Sequence, residues 1–415
     1  MRVRLAWSHV TSTMDEAVHA GHRRGSRQFR RITIAMFASG LATFTVLYCV
    51  QALFPAIAAD FHLSPATVSL VLSVSTLTLA IGVIPLTTLS ESLGRTRVMI
   101  ASLTATAVLG VLVPFAPNLT LLLVMRALQG FALAGLQATA MSYLSEELHR
   151  ESLGAGMGLY IAGNGIGGML GRVLAGVVVD FGSWRLAIGA VGLLAVACTI
   201  VFALLILPSQ RFEPKPLRVR PLIGSIGTAL RDHGLLRLYL VGFLAMGAFV
   251  TVYNYLGFRL LRAPFHLPHA VVSLLFVVYI AGSAASTIAG RLVDRFGRPR
   301  MLWSMAVCTI AGVVLLAFGN LALIIIGLVL FTGGFFATHA VASGWVGARA
   351  AVLAVPGAAI YLFCYYLGSS IGGTLGGVWF ADSGWGGVTG YIGVLFGLVV
   401  LLGLTLIGLK PLRRS

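Results

Sequence analysis

Residues 290–300 read Gly-Arg-Leu-Val-Asp-Arg-Phe-Gly-Arg-Pro-Arg, and residues 87–97 read Thr-Thr-Leu-Ser-Glu-Ser-Leu-Gly-Arg-Thr-Arg. Gly297 and Gly94 hold the same place in the two stretches, 203 positions apart in a chain of 415. Each stretch follows one long apolar run and precedes another. A loop that recurs at close to half the chain length points to a duplicated architecture of two related halves.

The apolar runs around these loops set the scale. Crossing a hydrocarbon core of about 30 Å takes about 20 helical residues. About twelve runs are long enough by that criterion. They cover 32–58, 65–90, 98–116, 119–145, 153–180, 183–207, 236–258, 269–293, 301–318, 320–346, 351–380 and 386–409. The longest polar interruption, from Pro208 to about Leu235, carries Arg211, Glu213, Lys215, Arg218, Arg220, Arg231 and Asp232. It splits the spans six and six. The expected fold is an all-α membrane protein of about twelve transmembrane helices in two pseudo-symmetric six-helix bundles. The expected boundaries are a tail over 1–31, bundles over 32–207 and 236–409, a linker over 208–235 and a tail over 410–415.

Composition agrees with lipid as the solvent. The chain is 58% hydrophobic with 10% charged residues and a mean hydropathy of +0.96. Soluble domains carry about 25% charge. The net charge of +17 sits in clusters between apolar runs, without the aromatic and basic stripes of a nucleic-acid binder. With the N-terminus inside, 24 of the 29 Lys and Arg fall on the cytoplasmic side. Arg185, Arg259 and Arg262 lie in outer loops, and Arg126 and Arg172 lie within spans. That asymmetry predicts both termini in the cytoplasm. The first 31 residues hold seven arginines and no apolar core, which reads as a cytoplasmic tail rather than a signal peptide. Met14 offers an alternative start. Cys49, Cys198, Cys308 and Cys364 each lie in an apolar run, with no CxxC pair, zinc pattern or Walker A loop. No cofactor or metal is expected, and direct ATP drive is disfavoured.

The two loops resemble the signature G-x-x-x-D-R-x-G-R-x-R of the major facilitator superfamily. The second copy matches in full, through Gly290, Asp294, Arg295, Gly297, Arg298 and Arg300. The first has drifted: Thr87 stands at the glycine, Glu91 at the aspartate and Ser92 at the basic residue, while Gly94, Arg95 and Arg97 remain. Arg126-Ala-Leu-Gln129-Gly130 resembles the R-x-x-Q-G motif of the drug:proton antiporter branch. Gly163-Asn164-Gly165-Ile166-Gly167-Gly168 resembles its G-P-x-x-G-G motif, with Asn164 in place of proline. Residues 143–147, 171–172, 183–185 and 362–370 are similar to the YnfM-type bacterial inner-membrane transporters. The resemblance implies a multi-pass bacterial inner-membrane protein, monomeric, that moves a small molecule across the bilayer with the proton gradient as energy source.

Charges inside spans are costly and mark candidate sites, at about 2.5–3.5 kcal/mol on insertion scales. Arg126 is the first candidate, with Gln129 on its face and Gln137 further along. It either meets an anionic group or is tied to backbone carbonyls. Arg172 lines the same cavity, snorkels outward or pairs with Asp180. His339 is the side chain deep in a span that titrates near neutrality, with Thr332 and Ser343 on its face. It carries protons or contacts substrate, or it stays neutral among helix neighbours. Tyr48 and Gln51, then Thr251, Asn254 and Tyr255, then Tyr361, Tyr365 and Tyr366, form stripes at helical spacing. They line a cavity or bond between helices. Nine glycines of the fifth span, from Gly154 to Gly176, suit close helix packing. Glu91, Gly94, Arg95, Gly290, Asp294, Arg295, Gly297 and Arg298 are expected to gate.

The twelve acidic residues all lie in tails, loops or span ends. Two buried arginines without a buried acid favour a neutral or anionic substrate over a lipophilic cation. The expected activity is proton-coupled efflux of a small organic molecule by rocking alternating access. The rivals are uptake or facilitated passage of an organic anion or sugar, and a non-transporting receptor. No nucleophile–base or metal constellation suggests an enzyme.

Overall fold

The computed structural model describes residues 21–212, 219–353 and 355–409. The alternative start at Met14, Glu213, Lys215 and Arg218 of the linker, and the tail at 410–415 lie outside the described residues.

The first span joins α1 (Arg27–Tyr48) to α2 (Val50–Asp60) at Cys49. The next five spans are α3 (Pro65–Leu93), α4 (Arg95–Leu112), α5 (Leu119–Glu147), α6 (Arg150–Phe181) and α7 (Trp184–Leu205). A short helix, α8 (Val219–Arg231), lies within the linker. The second half holds α9 (His233–Leu260), the pair α10 (His269–Leu274) and α11 (Tyr279–Phe296), α12 (Arg298–Ala317) and α13 (Leu321–Leu353). The eleventh and twelfth spans run together as α14 (Gly357–Thr405), broken at Gly384 with φ 59° and ψ −147°.

Local chemistry sets these ends. Ser26, Ser64, Asn118, Ser183 and Asp232 each cap a helix, accepting a backbone N–H of the first turn on the side-chain oxygen. Pro65 follows its cap at the first helical position, where no N–H is needed. Gly94 (φ 99°) and Gly297 (φ 80°) turn the chain between the second and third and the eighth and ninth spans. A positive φ there strains any side chain.

Glycine also sets the helix contacts. A Cβ at Gly163, Gly167 or Gly171 would run into the backbone of Phe37, Leu41 or Thr45. The fifth span therefore lies backbone to backbone on the first. The eleventh span repeats this on the seventh, where Gly368 meets the backbone of Phe243 and Gly372 that of Gly247, and Gly376 packs on the Thr251 side chain. One hydrogen bond also recurs. Thr45 Oγ1 donates to the Gly167 carbonyl, and Thr251 Oγ1 to the Gly372 carbonyl, both at 3.0 Å.

The two halves meet unevenly. At the end away from the signature loops, Gln51 bonds Asn254 and Thr374 bonds Ser73. There Asp180 accepts from the backbone N–H groups of His269 and Ala270, and Gly176 packs on Ser273. Moving along the fifth and eighth spans toward the signature loops, this contact thins. A Cβ at Gly165 would reach only Ser283, at 3.9 Å, and one at Gly158, Gly154 or Gly290 would meet nothing within 4 Å. The fifth and eighth spans thus touch at the far end and separate toward the signature loops.

Candidate functional site

The fifth span presents Arg172 just past its glycine ladder. Its side chain is 1% exposed. Nε and Nη2 donate to Gln51 Oε1 at 2.8 and 2.5 Å, and Nη1 donates to the Gly168 carbonyl. The guanidinium carbon lies 4.5, 4.6 and 4.9 Å from the ring centres of Tyr48, Phe276 and Tyr279. These cation–π contacts spread the charge over rings from both halves. Gln51 passes the polarity on, donating Nε2 to Asn254 Oδ1 at 2.7 Å. Arg172 thus makes no pair with Asp180, which lies two helical turns away and bonds His269 Nδ1 at 3.0 Å.

Arg126 is also 1% exposed, but its surroundings differ. Nε donates to the Val71 carbonyl at 3.1 Å, Nη1 to Val46 at 3.2 Å and Nη2 to Leu47 at 2.9 Å. Nη1 also donates to Gln129 Oε1 at 2.5 Å, and Gln129 Nε2 donates to the Thr106 carbonyl. The guanidinium ties the first span to the second and fourth through backbone oxygens. The Val46 and Leu47 oxygens lie just before Tyr48, in the segment that leads to Gln51, so Arg126 fixes the stretch that faces Arg172.

The second half contributes aromatic surface. His339 is half-buried and shares a 3.0 Å hydrogen bond between Nδ1 and Tyr361 Oη. Its ring lies 4.7 Å from that of Tyr365, and Phe335 stacks on its other side. Tyr253 Oη bonds Thr332 Oγ1 at 2.6 Å, while Ser343 turns back to the His339 carbonyl. Phe249, Tyr253, Phe276 and Tyr279 pack as one cluster beside Arg172. Phe276 and Tyr279 are not among the candidates named from sequence; their i, i+3 spacing in an otherwise aliphatic stretch is the signal that marks them.

Other candidates sit apart from this layer. Asn164 packs on Gly40 of the first span. Tyr160 bonds Gln137 at 3.5 Å. Tyr255 donates to the Gly373 carbonyl at 2.7 Å and stacks on Phe380, within the interface of the seventh and eleventh spans. Tyr366 is buried against Tyr365.

The signature loops differ from each other. In the drifted copy, Arg95 is buried and donates Nε and Nη2 to Glu146 Oε1 at 3.2 and 3.1 Å, and Nη1 to Ser90 Oγ. Glu91 is more distant, at 3.9 Å. In the full-match copy, Asp294, Arg295 and Arg298 are exposed, and Arg295 lies over Phe296. The adjoining Glu147 is fully buried and accepts the backbone N–H groups of Gln210 and Arg211, which fastens the start of the linker.

Comparison with known proteins agrees with this architecture. Residues 33–261 match the Major Facilitator Superfamily. Inner membrane transport protein YnfM of Escherichia coli is 44% identical over 92% of this chain and 91% of its own length. An uncharacterized MFS-type transporter of Bacillus subtilis, YybF, is 42% identical over 92% of this chain and 94% of its own. Among solved structures, a bacterial homolog of the human lysosomal transporter Spinster, inward-facing and occupied, superposes with a TM-score of 0.74. It shares 14% identity over 92% of this chain and 96% of that one. The duplicated six-span halves, the paired signature loops and these matches together show that the chain belongs to the major facilitator superfamily, as a multi-pass secondary transporter.

Proposed function

We propose that this transporter exports a small organic molecule across the bacterial inner membrane in exchange for protons, by rocking its two halves about a central site. The observation that carries the reading is the uneven closure. The halves are bonded at the far end by Gln51–Asn254, Thr374–Ser73 and Asp180–His269, while the fifth and eighth spans separate toward the signature end. A protein built to alternate must be able to exchange one closed end for the other. The asymmetry of the basic residues favours a cytoplasmic signature end, with both termini and the linker on that side, and in that orientation this conformation opens inward. Both halves that flank the central site belong to one chain, which favours the monomer as the working unit.

The resemblance of residues 126–130 and 163–168 to antiporter motifs favours export. Coupling falls to His339, a titratable side chain deep in a span whose Nδ1 shares a hydrogen bond with Tyr361 Oη. The buried positive charge of Arg172, with no carboxylate paired to it among the described residues, favours a neutral or anionic substrate.

Proteoliposomes carrying an internal pH dye test this reading. Under an imposed proton gradient, added organic solutes should trigger proton movement in wild type and none in His339→Gln. Solute flux that moves no protons would leave a facilitated carrier and overturn the coupling.

A further inference from the structure

We infer that the substrate of the central site is an aromatic organic anion, its charged head read by Arg172 and Tyr279 and its ring held by the surrounding aromatic side chains. The inference rests on the transport reading above and names the substrate class of that same site.

Donors outnumber acceptors around Arg172. A guanidinium has five N–H groups, and three are placed here, two on Gln51 and one on the Gly168 carbonyl. Tyr279 is 8% exposed, and its hydroxyl has no hydrogen-bond partner. Asn254 is 0% exposed, and its Nδ2 has no partner either. That orientation is forced. Arg172 draws Gln51 Oε1 toward itself, which aims Gln51 Nε2 at Asn254 Oδ1 and turns Asn254 Nδ2 toward Gly373. A Cβ at Gly373 would sit 3.1 Å from that nitrogen, so the glycine lets Asn254 pack closely on the eleventh span.

Buried polar groups are nearly always paired. A layer with spare donors and a net positive charge is complementary to acceptors that carry negative charge. A lipophilic cation would meet Arg172 with no acid to offset it. A sugar brings as many donors as acceptors, and beside Arg172 the amide acceptor, Gln51 Oε1, is already held by the guanidinium. The walls decide the rest of the molecule. Tyr48, Phe276 and Tyr279 surround the guanidinium, and Tyr365, Phe335 and His339 continue the aromatic lining toward the open end. Planar rings suit that lining through stacked or edge contacts.

Binding would also act on closure. An anion that takes Arg172 Nε and Nη2 displaces Gln51, and Gln51 is the residue that bonds Asn254 across the halves. Occupancy therefore loosens the closed far end, which is the direction export requires.

The test uses the purified full chain and 2-naphthoate, with two controls measured by calorimetry. 2-Naphthamide keeps the ring without the charge, and cyclohexanecarboxylate keeps the charge without the aromatic ring. Both should bind about tenfold or more weakly than 2-naphthoate. Arg172→Gln should weaken 2-naphthoate by about tenfold or more, and Tyr279→Phe by several-fold with an unchanged melting temperature. No binding of 2-naphthoate to wild type, or equal binding of acid and amide, overturns the inference. The acid–amide comparison is made on wild type and holds even if Arg172→Gln fails to fold. Lost acid selectivity with intact solute-driven proton flux removes the anion assignment alone. Anion binding without proton flux removes the coupling alone.

Discussion

Gln51 and Asn254 lie in different halves of the chain and share a buried 2.7 Å hydrogen bond, one step from the guanidinium of Arg172. Asn254→Leu removes the acceptor and leaves Gln51 Nε2 unpaired in the closed state. A buried hydrogen bond contributes about 1 kcal/mol net, so the closed far end should lose about fivefold in population. Spin labels at Pro117 and Arg262, exposed loop positions at the far end, would report this in a background lacking the four native cysteines. A longer-distance population is expected in Asn254→Leu. An unchanged distribution would mean that this bond does not hold the end shut.

Arg95 answers to Glu146 rather than to its loop neighbour Glu91. The Glu146 contact is 3.1 Å with both side chains largely buried, and the Glu91 contact is 3.9 Å with Glu91 41% exposed. Glu146→Gln should therefore cost about 2 kcal/mol and Glu91→Gln less than about 1 kcal/mol. Thermal unfolding in detergent separates the two. Equal melting temperatures would contradict the assignment of Glu146 as the partner.

Most of the architecture was legible because membrane spans announce themselves by length and hydropathy alone. The signature turns were legible because only glycine suits the positive φ that Gly94 and Gly297 adopt. The roles of single polar residues were not. Arg126 and Arg172 look alike in sequence, each an arginine within an apolar run. Their difference lies in what the neighbouring helices present: carbonyls of Val46, Leu47 and Val71 to the one, an amide and three rings to the other. Tyr255 shares a helical stripe with Thr251, yet its hydroxyl is spent on a carbonyl of the eleventh span and that of Thr251 is shared between the Gly247 carbonyl of its own helix and the Gly372 carbonyl. The linker helix α8 was hidden because Pro221 and two glycines, Gly224 and Gly227, dilute its helical pattern.

The two halves should respond alike to matched changes. Thr45→Val and Thr251→Val each remove a 3.0 Å bond to a carbonyl of the facing helix. Such bonds are worth about 0.6 kcal/mol in membranes. Gly167→Ala and Gly372→Ala should cost more, since each added methyl meets backbone that cannot rotate away. Unfolding midpoints in mixed micelles should rank both alanine variants below both valine variants. A reversed order would show that the hydrogen bond, and not the close approach, holds these pairs.

Asp232 supplies a pH signature outside the membrane spans. Burial alone would raise its carboxyl. The Arg349 hydrogen bonds at 2.6 and 2.8 Å, with the Leu235 N–H, outweigh that and hold it below the ordinary 3.8. A carboxyl depressed on folding adds stability above its unfolded pKa and loses it as the pH falls through the folded value. The stability gap between wild type and Asp232→Asn should be constant above pH 3.8 and shrink below it. A gap that widens on acidification would refute the pairing.

Arg126 offers the sharpest choice between a packing role and a binding role. Its guanidinium reaches carbonyls on two helices at once, from Val46 and Leu47 on the first span and Val71 on the second. A lysine ammonium is a compact point charge and cannot span them. Losing two of these charge-assisted bonds should cost on the order of 3 kcal/mol. Arg126→Lys should therefore lower the melting temperature and, by releasing the segment that carries Tyr48 and Gln51, weaken 2-naphthoate as well. If Arg126 instead held the substrate directly, the lysine variant would bind weakly yet melt like wild type. Measuring both quantities on the same preparation decides between them: falling together, they assign Arg126 to holding the first span in place, so that Arg172 alone supplies the charge that meets the substrate.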